Sequence, residues 1–455
     1  MREGLPELGQ WPPRTRWPDA VHRGVAVLKE LLGSTAVDED RTGASASAAP
    51  TSLLLAVSGG ADSLALAVLA AVLRGTRDGE GRRIGAVVVD HGLQEGSADV
   101  AQAAARVCTG LGLDPVTVER VQVQERGDGL EAAARHARMA AFAGAAQRAG
   151  AGLVVTAHTA DDQAEQVLLA LARGSGTRSL AGMPARRPLV QDGTRSAADI
   201  VPDAERDTAG AQAPRESHVR GEQHGPPRAA GPHVHLVRPL LGLTRADTEA
   251  VCAWAGVTWW SDPMNTDPDV RRVRVRETVL PLLEDEHRGL GPGARAGLVR
   301  SAAIAAEDAA ALEAWAEREF TALTLDETDP DAADTGVVPS ALDAPAAAGT
   351  AGASRRRIVL DLDGLAALPT AVRHRIYARA AALTGADPTT RERLVAVDAL
   401  VTQAHRGGSS AGPVQLGGGT QVRRRRRDAA GGGTDAGAGA RTCARLEFHP
   451  DPAVD

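Results

Sequence analysis

The chain of 455 residues is long enough for two or three domains with separate cores, and an aromatic content of 2% obliges those cores to be built from Ala, Leu and Val. A formal net charge of -7 argues against a protein coated in positive charge for indiscriminate nucleic-acid binding, while leaving room for a local basic surface. Three scattered cysteines (Cys108, Cys252, Cys443) form neither a disulfide framework nor a CxxC pair, and with no apolar run of about 20 residues and no signal-like opening, a cytoplasmic protein is expected.

Residues 1–50 are expected to hold one helix, around Ala20 to Leu32, and a linker of small residues. From Leu53 a repeating order begins. Apolar runs at "LLLAV" (53), "IGAVVVD" (84), "VTVERVQV" (116) and "LVVTAH" (153) alternate with Ala-rich helical stretches. That alternation predicts a parallel sheet with helices on both faces, over residues 51–240. Within it, residues 191–231 lose all periodicity and are expected to be a disordered insertion. Order returns with a strand at "HLVRPLL", a helix starting near Thr244, and further helices through Phe320, so 241–325 is taken as a helical extension. A linker at 326–353 and a smaller, mostly helical domain at 354–455 complete the order.

The first motif is Ser58-Gly59-Gly60-Ala61-Asp62-Ser63, between the first strand and its helix. Gly59 and Gly60 let backbone amides approach a ligand, the two serines add hydroxyl donors, and the helix N-terminus adds partial positive charge. The ligand implied is an anion, most simply phosphate. Asp62 would repel it unless a cation intervenes, which implies Mg²⁺ at Asp62 and a polyphosphate such as ATP. The only lysine, Lys29, has no glycine neighbours, so a GxxxxGK[ST] phosphate loop is excluded.

Three further clusters follow at strand ends. Asp90 and His91 leave the second strand, where the pair is placed to contact adenine or ribose, the alternative being that His91 caps the next helix. Glu131, Arg135 and Arg138 lie on one helix, with Glu131 and Arg135 at ion-pair spacing. His158, Asp161, Asp162 and Gln163 gather where the fourth strand meets its helix. One aspartate there is explained by helix capping, but the set together suits metal or ribose binding. Gly174-Ser175-Gly176 forms a second amide-rich turn, and Arg271, Arg272, Arg274 and Arg276 make a dense basic patch, suited to phosphate contacts or a solvated helix face.

The glycine turn resembles the PP-loop of the ATP pyrophosphatases, enzymes that split ATP to AMP and pyrophosphate while adenylating a substrate. Four other stretches narrow the resemblance to the tRNA(Ile)-lysidine synthase family: "DHGL" at 90, "LEAAARHARM" at 130, "AHTADDQAEQVLLALARGSGTRSLAGM" at 157, and "RPLL" at 238 followed by "WSDPMNTDPDVRRVRVR" at 260. Gln94, Met139, Met264 and Val273 depart from that family's usual residues. Residues 290–449 match only loosely; there the resemblance leaves Arg423–Arg427 as either a tRNA backbone contact or a disordered run.

The resemblance implies an adenine nucleotide alpha hydrolase-like, Rossmann-like sheet. It also implies an enzyme using ATP, Mg²⁺, free L-lysine and the isoleucine tRNA with a CAU anticodon; a homodimer is consistent with it. By it, Ser58–Ser63, Asp90, His91, His158, Gly174, Ser175 and Gly176 bind ATP. Asp62, Arg135, Arg138, Asp161 and Asp162 carry the chemistry, one of the three aspartates serving as general base. Arg271, Arg272, Arg274 and Arg276 contact tRNA. The alternatives are another PP-loop tRNA-modifying enzyme and a non-catalytic adenine-nucleotide module. The former is weakened by the lack of CxxC pairs, the latter by the arginine patch.

Overall fold

The structure, a computed structural model, describes residues 11–41, 52–90, 92, 96–121, 130–174, 176–189, 234–261, 269–328, 356–387, 389–405, 412–425 and 444–450. The expected insertion at 191–231 and most of the 326–353 linker lie outside these residues, as do His91, Ser175 and Cys443. The chain divides into two units, the first running to Ala306 except for a short stretch near residue 197, the second from Glu307 onward.

In the first unit, helix α1 (Asp19–Arg41) precedes strand β1 (Ser52–Val57), α2 (Ala61–Arg74), β2 (Ile84–Asp90), α3 (Ser97–Gly110) and β3 (Val116–Arg120). Next come α4 (Leu130–Ala149), β4 (Ala151–Val155), α5 (Ala160–Ala172), the single turn α6 (Thr177–Leu180), β5 (Arg186–Pro188), β6 (His235–Val237) and α7 (Arg245–Trp254). The sheet order is β3-β2-β1-β4-β6-β5, parallel throughout except for the antiparallel β5. The chain builds outward from β1 in one direction, then crosses to β4 on its other side. A crevice therefore opens at the carboxyl ends of β1 and β4, where doubly wound sheets hold ligands.

The strands read as continuous apolar runs because both faces are covered. Leu53, Leu55 and Val57 of β1 join a core with α1, α2, α3 and α7, whereas Leu54 and Ala56 join the core under α4. β4 divides the same way, Leu153 and Val155 against Val154. Helix α2 is buried on nearly every side, which explains its Ala/Leu/Val composition without a polar stripe. Over it lies α1, whose Val21, Val25, Leu28 and Leu32 repeat at helical spacing along the core face.

After β6, a short 3-10 turn (Pro239–Gly242) leads to α7, whose N-cap Thr244 accepts from the Asp247 N–H as the residue types predict. Then α8 (Arg271–Arg274), a π turn (Val275–Val279) and α9 (Leu280–Glu284) make one irregular helical stretch, with Pro281 in the first turn of α9. Helix α10 (Ala294–Leu323) follows.

The second unit holds a short helix α11 (Leu362–Ala367), the two helices expected, α12 (Thr370–Leu383) and α13 (Arg391–His405), and a five-stranded antiparallel sheet. Its strands β7 (Thr324–Thr328), β8 (Arg357–Asp361), β9 (Val414–Leu416), β10 (Thr420–Arg425) and β11 (Arg445–Pro450) lie in the order β7-β8-β11-β10-β9. β7 extends three residues into the stretch expected to be linker. Ile376, Tyr377 and Val401 of the helices pack with Ile358, Leu360, Val422 and Phe448 of the strands. The Tyr377 hydroxyl and the Arg373 guanidinium both meet Asp398, at 3.1 and 2.7 Å. Of the C-terminal arginines, Arg423 to Arg425 belong to β10, where Arg425 pairs with the buried Glu447 at 3.2 Å. Arg426 and Arg427 lie outside the described residues.

Gly24 lets α1 sit close on α2, since a Cβ there would lie 2.5 Å from a methyl of the fully buried Leu69. Gly24→Ala gains helix propensity of about 1 kcal/mol, but overpacking costs about 1–3 kcal/mol. The expected outcome is a net loss of stability in denaturant unfolding; a more stable variant would mean that α1 adjusts freely on α2.

Candidate functional site

The glycine turn closes on itself. Ser63 Oγ accepts from the Ser58 N–H at 3.1 Å, lies 3.2 Å from Ser58 Oγ, and donates to Gly60 O at 3.0 Å. Gly59 takes φ +85°, a conformation that any side chain would strain. Gly60 caps α2 with extended backbone, so the first N–H groups of the 14-residue helix open onto the turn with no side chain capping them. Across the turn, the Trp260 N–H donates to Gly59 O at 3.1 Å, drawing the segment after α7 over the loop.

Asp62, in the first turn of α2, is held by α7. Thr248 Oγ1 donates to its Oδ1 at 2.5 Å, and Arg245 lies 3.2 Å from its Oδ2. Burial lowers the pKa of the Arg245 guanidinium, but the Asp62 charge and hydrogen bond more than offset this. The second aspartate, Asp161, is also tied to α7, accepting from the Arg245 backbone N–H at 2.8 Å; its other oxygen meets Arg295 at the start of α10. One arginine at the head of α7 therefore joins the α2 and α5 N-termini.

Asp162 does two things. Its Oδ2 accepts from Thr159 N–H at 2.8 Å, capping α5 as the spacing predicts, and its Oδ1 meets Arg272 at 2.7 Å. Burial pushes its carboxyl upward, but Arg272, His158, the Thr159 N–H and Arg276 overcome this and leave it below the usual carboxylate range. His158 Nδ1 lies 3.0 Å from Thr156 Oγ1. Burial is the main cause that drives its pKa down to about 3; the Asp162 charge opposes this, while Arg238, Arg272 and Arg138 add to it. The imidazole is therefore neutral at physiological pH.

The residue that sequence reasoning missed is Glu165, one turn after Asp161. It is fully buried and accepts from Arg272 Nε at 2.6 Å and from Arg276 Nε at 2.6 Å. Its place in the quoted "DDQAEQ" run was the available signal. The expected basic patch is thus divided: Arg272 and Arg276 turn inward onto Asp162 and Glu165, whereas Arg274 is exposed and donates to Asp269 O at 3.0 Å, and Arg271 is half-buried. The physical reason is that a buried carboxylate without such partners would be too costly.

Asp90 is buried at the end of β2, where its Oδ1 accepts from the Gly92 N–H at 3.0 Å and from Ser97 Oγ at 2.7 Å. It holds the turn that leads into α3. Gln163 is likewise structural, since its amide brackets the Met183 backbone at 2.7 and 3.3 Å. Gly174 takes φ +63° and Gly176 caps α6. Arg135 and Arg138 lie exposed on α4, the latter close enough to His158 to influence its proton affinity. Cys108 and Cys252 are buried, and burial pushes both thiols up to about 12, so neither is a nucleophile.

Comparison with known proteins finds the model of the PP-loop domain family matching residues 35–195 and 215–283. The chain is similar to the tRNA(Ile)-lysidine synthase of Leifsonia xyli, with 40% identity over 82% of this chain and 87% of that one. The enzyme of the same name from Salinispora tropica is 40% identical over 82% and 89%, and that from Thermobifida fusca 38% over 77% and 83%.

Two outcomes follow from the charge network. Glu165→Gln leaves two inward arginines short of negative charge and is expected to cost about 3 kcal/mol in urea unfolding; a change below about 0.5 kcal/mol would show that Glu165 is not their anchor. For His158, the folded pKa lies below the unfolded one, so the unfolded chain takes up the proton first. Stability is fully present above about pH 6.5 and is lost as pH falls toward 3. His158→Asn should remove up to about 1.4 kcal/mol per pH unit from the slope of stability between pH 4 and 6; an unchanged slope would place that proton elsewhere.

Proposed function

This chain belongs to the tRNA(Ile)-lysidine synthase family of PP-loop proteins, and from that premise we propose that it joins free L-lysine to C2 of the wobble cytidine in the CAU-anticodon isoleucine tRNA. The observation that carries the reading is the meeting, at the carboxyl ends of β1 and β4, of an open amide turn with a cluster of acids and arginines.

In the first step the cytidine C2 oxygen attacks the α-phosphorus of ATP, forming the P–O bond as the bond to pyrophosphate breaks. The Ser58–Ser63 turn and the α2 N-terminus bind the departing pyrophosphate through N–H and hydroxyl donors. Asp62 suits Mg²⁺, because that ion is ordinarily held by one or two carboxylates together with substrate phosphates. Bound there, Mg²⁺ would neutralise charge developing on the phosphates. Asp62 would then exchange its contact with Arg245, freeing that guanidinium to meet phosphate.

In the second step the lysine ε-amine attacks C2 and AMP leaves with the former C2 oxygen. The amine arrives as an ammonium, with an ordinary pKa near 10.4, and must lose a proton. His158, neutral and disfavoured as a cation, offers a hydrogen bond and not a charge, so Asp62, Asp161 and Asp162 are the candidate acceptors. Asp162 beside Arg272 also supplies both signs of charge that an amino-acid zwitterion requires. Arg135 and Arg138 would stabilise the adenylate. The exposed Arg274, with Arg271, is assigned to tRNA backbone, and the Asp90, Gly174 and Gly176 turns border the nucleotide. No helix among the described residues is long and apolar enough to cross a membrane.

The test is pyrophosphate release from ATP with transcribed CAU-anticodon tRNA(Ile). Release is expected to require that tRNA and Mg²⁺, and Asp62→Asn should reduce it at least 100-fold, about 2.7 kcal/mol or more of transition-state stabilisation. ATP cleavage that proceeds equally without tRNA would overturn the substrate assignment. Unchanged turnover in Asp62→Asn would remove Mg²⁺ from that carboxylate.

A further inference from the structure

Helix α7 meets the first turn of α2 through two side chains that lie one turn apart. Thr248 Oγ1 is 2.5 Å from Asp62 Oδ1, and Cys252 Sγ is 3.4 Å from Ala61 O. Both residues are fully buried, and at a spacing of four they share one face of the helix. The head of α7 is itself held in place. Thr244 and Asp247 cap it reciprocally, Asp247 Oδ1 also meets Arg23 of α1 at 2.5 Å, and the Arg245 N–H donates to Asp161. Thr248 therefore approaches Asp62 from a platform with little freedom.

The hydroxyl of Thr248 carries one proton and stands near two acceptors. One is Asp62 Oδ1; the other, at 2.7 Å, is the Arg245 carbonyl in its own helix. A hydroxyl that donates to a carboxylate makes the shorter and stronger bond, which the two lengths match. The second acceptor is the back-bond that threonine commonly makes within a helix. The hydroxyl is thus satisfied in either orientation, as a fully buried polar group must be. The two oxygens of Asp62 differ in how they are held. Oδ1 has a neutral donor anchored in the core, whereas Oδ2 has the partly exposed Arg245 guanidinium at 3.2 Å. An arriving charge can replace the guanidinium and leave the hydroxyl where it is.

We propose that Thr248 is a positioning residue that fixes the rotation of the Asp62 carboxylate, so that Oδ2 is the oxygen released to a cation when Arg245 gives way. The inference rests on the reading above, in which Asp62 takes Mg²⁺. A carboxylate already held at one oxygen loses less rotamer freedom on binding a cation than a free one does. The hydroxyl therefore lowers the Mg²⁺ concentration at which the nucleotide is held, without touching the ion or the nucleotide.

The test uses full-length T248V, T248S, D62N and the D62N/T248V double variant, each checked by thermal unfolding. Affinity for α,β-methylene-ATP is measured by calorimetry across a Mg²⁺ series. Thr248→Val keeps the shape and removes the hydroxyl; Thr248→Ser keeps the hydroxyl and removes a methyl. A role in packing and a role at Asp62 therefore order the two variants oppositely. T248V is expected to need about tenfold more Mg²⁺ for half-maximal nucleotide binding, and T248S to stay within about threefold of wild type. In the D62N background T248V should cost nothing further. T248V within about twofold of wild type, or a T248S shift as large as that of T248V, overturns the proposal. If T248V does not fold, T248A set against T248S isolates the hydroxyl in the same way. D62N with unchanged Mg²⁺ dependence would sink the reading of Asp62 and this inference together. A shifted D62N beside a wild-type-like T248V would remove the role of Thr248 alone.

Discussion

The burial of Glu165 is the constraint on which the site depends. A carboxylate with no exposed surface in a sheet-and-helix core is tolerated only with opposite charge in direct contact. Here that charge arrives from Arg272 and Arg276, more than a hundred residues along the chain. The ion network therefore pins the irregular α8–α9 stretch to α5, and with it orients Asp162, which shares Arg272. Because α5 follows β4 directly, the same contacts fix His158 and Asp161 at the edge of the crevice. Substituting Glu165 would thus be felt in the acid cluster as well as in stability.

Arg245 plays the corresponding part on the other side. Its backbone serves Asp161 and its side chain serves Asp62, so α7 holds the N-termini of α2 and α5 in register. Asp62, Asp161 and Asp162 each enter the site already engaged with an arginine. Such pairing balances the charge of each carboxylate until a substrate cation or metal takes the place of the guanidinium. A site built this way responds to ligand charge by exchanging partners, without moving the sheet.

Much of this was legible in the residues. β1, β2 and β4 are unbroken apolar runs because both faces are covered, and the turn Ser58–Ser63 declares itself through glycine and hydroxyl types that suit few other purposes. Helix starts at Thr159 and Thr244 were readable from capping chemistry. Other features were not. β5 reads Arg-Arg-Pro and β10 Thr-Gln-Val-Arg-Arg-Arg, patterns whose charge conceals strand pairing decided by neighbours far away in sequence. The arginine patch at 271–276 looked like one surface because local spacing cannot reveal a buried glutamate elsewhere.

The most direct measurement of the central claim is nucleoside mass spectrometry of CAU-anticodon tRNA(Ile) after incubation with the protein, ATP, Mg²⁺ and isotopically labelled L-lysine. The account predicts that the wobble cytidine becomes lysidine carrying the label, only when ATP and lysine are both present. Unmodified cytidine after complete ATP turnover, or labelled product without ATP, would contradict it.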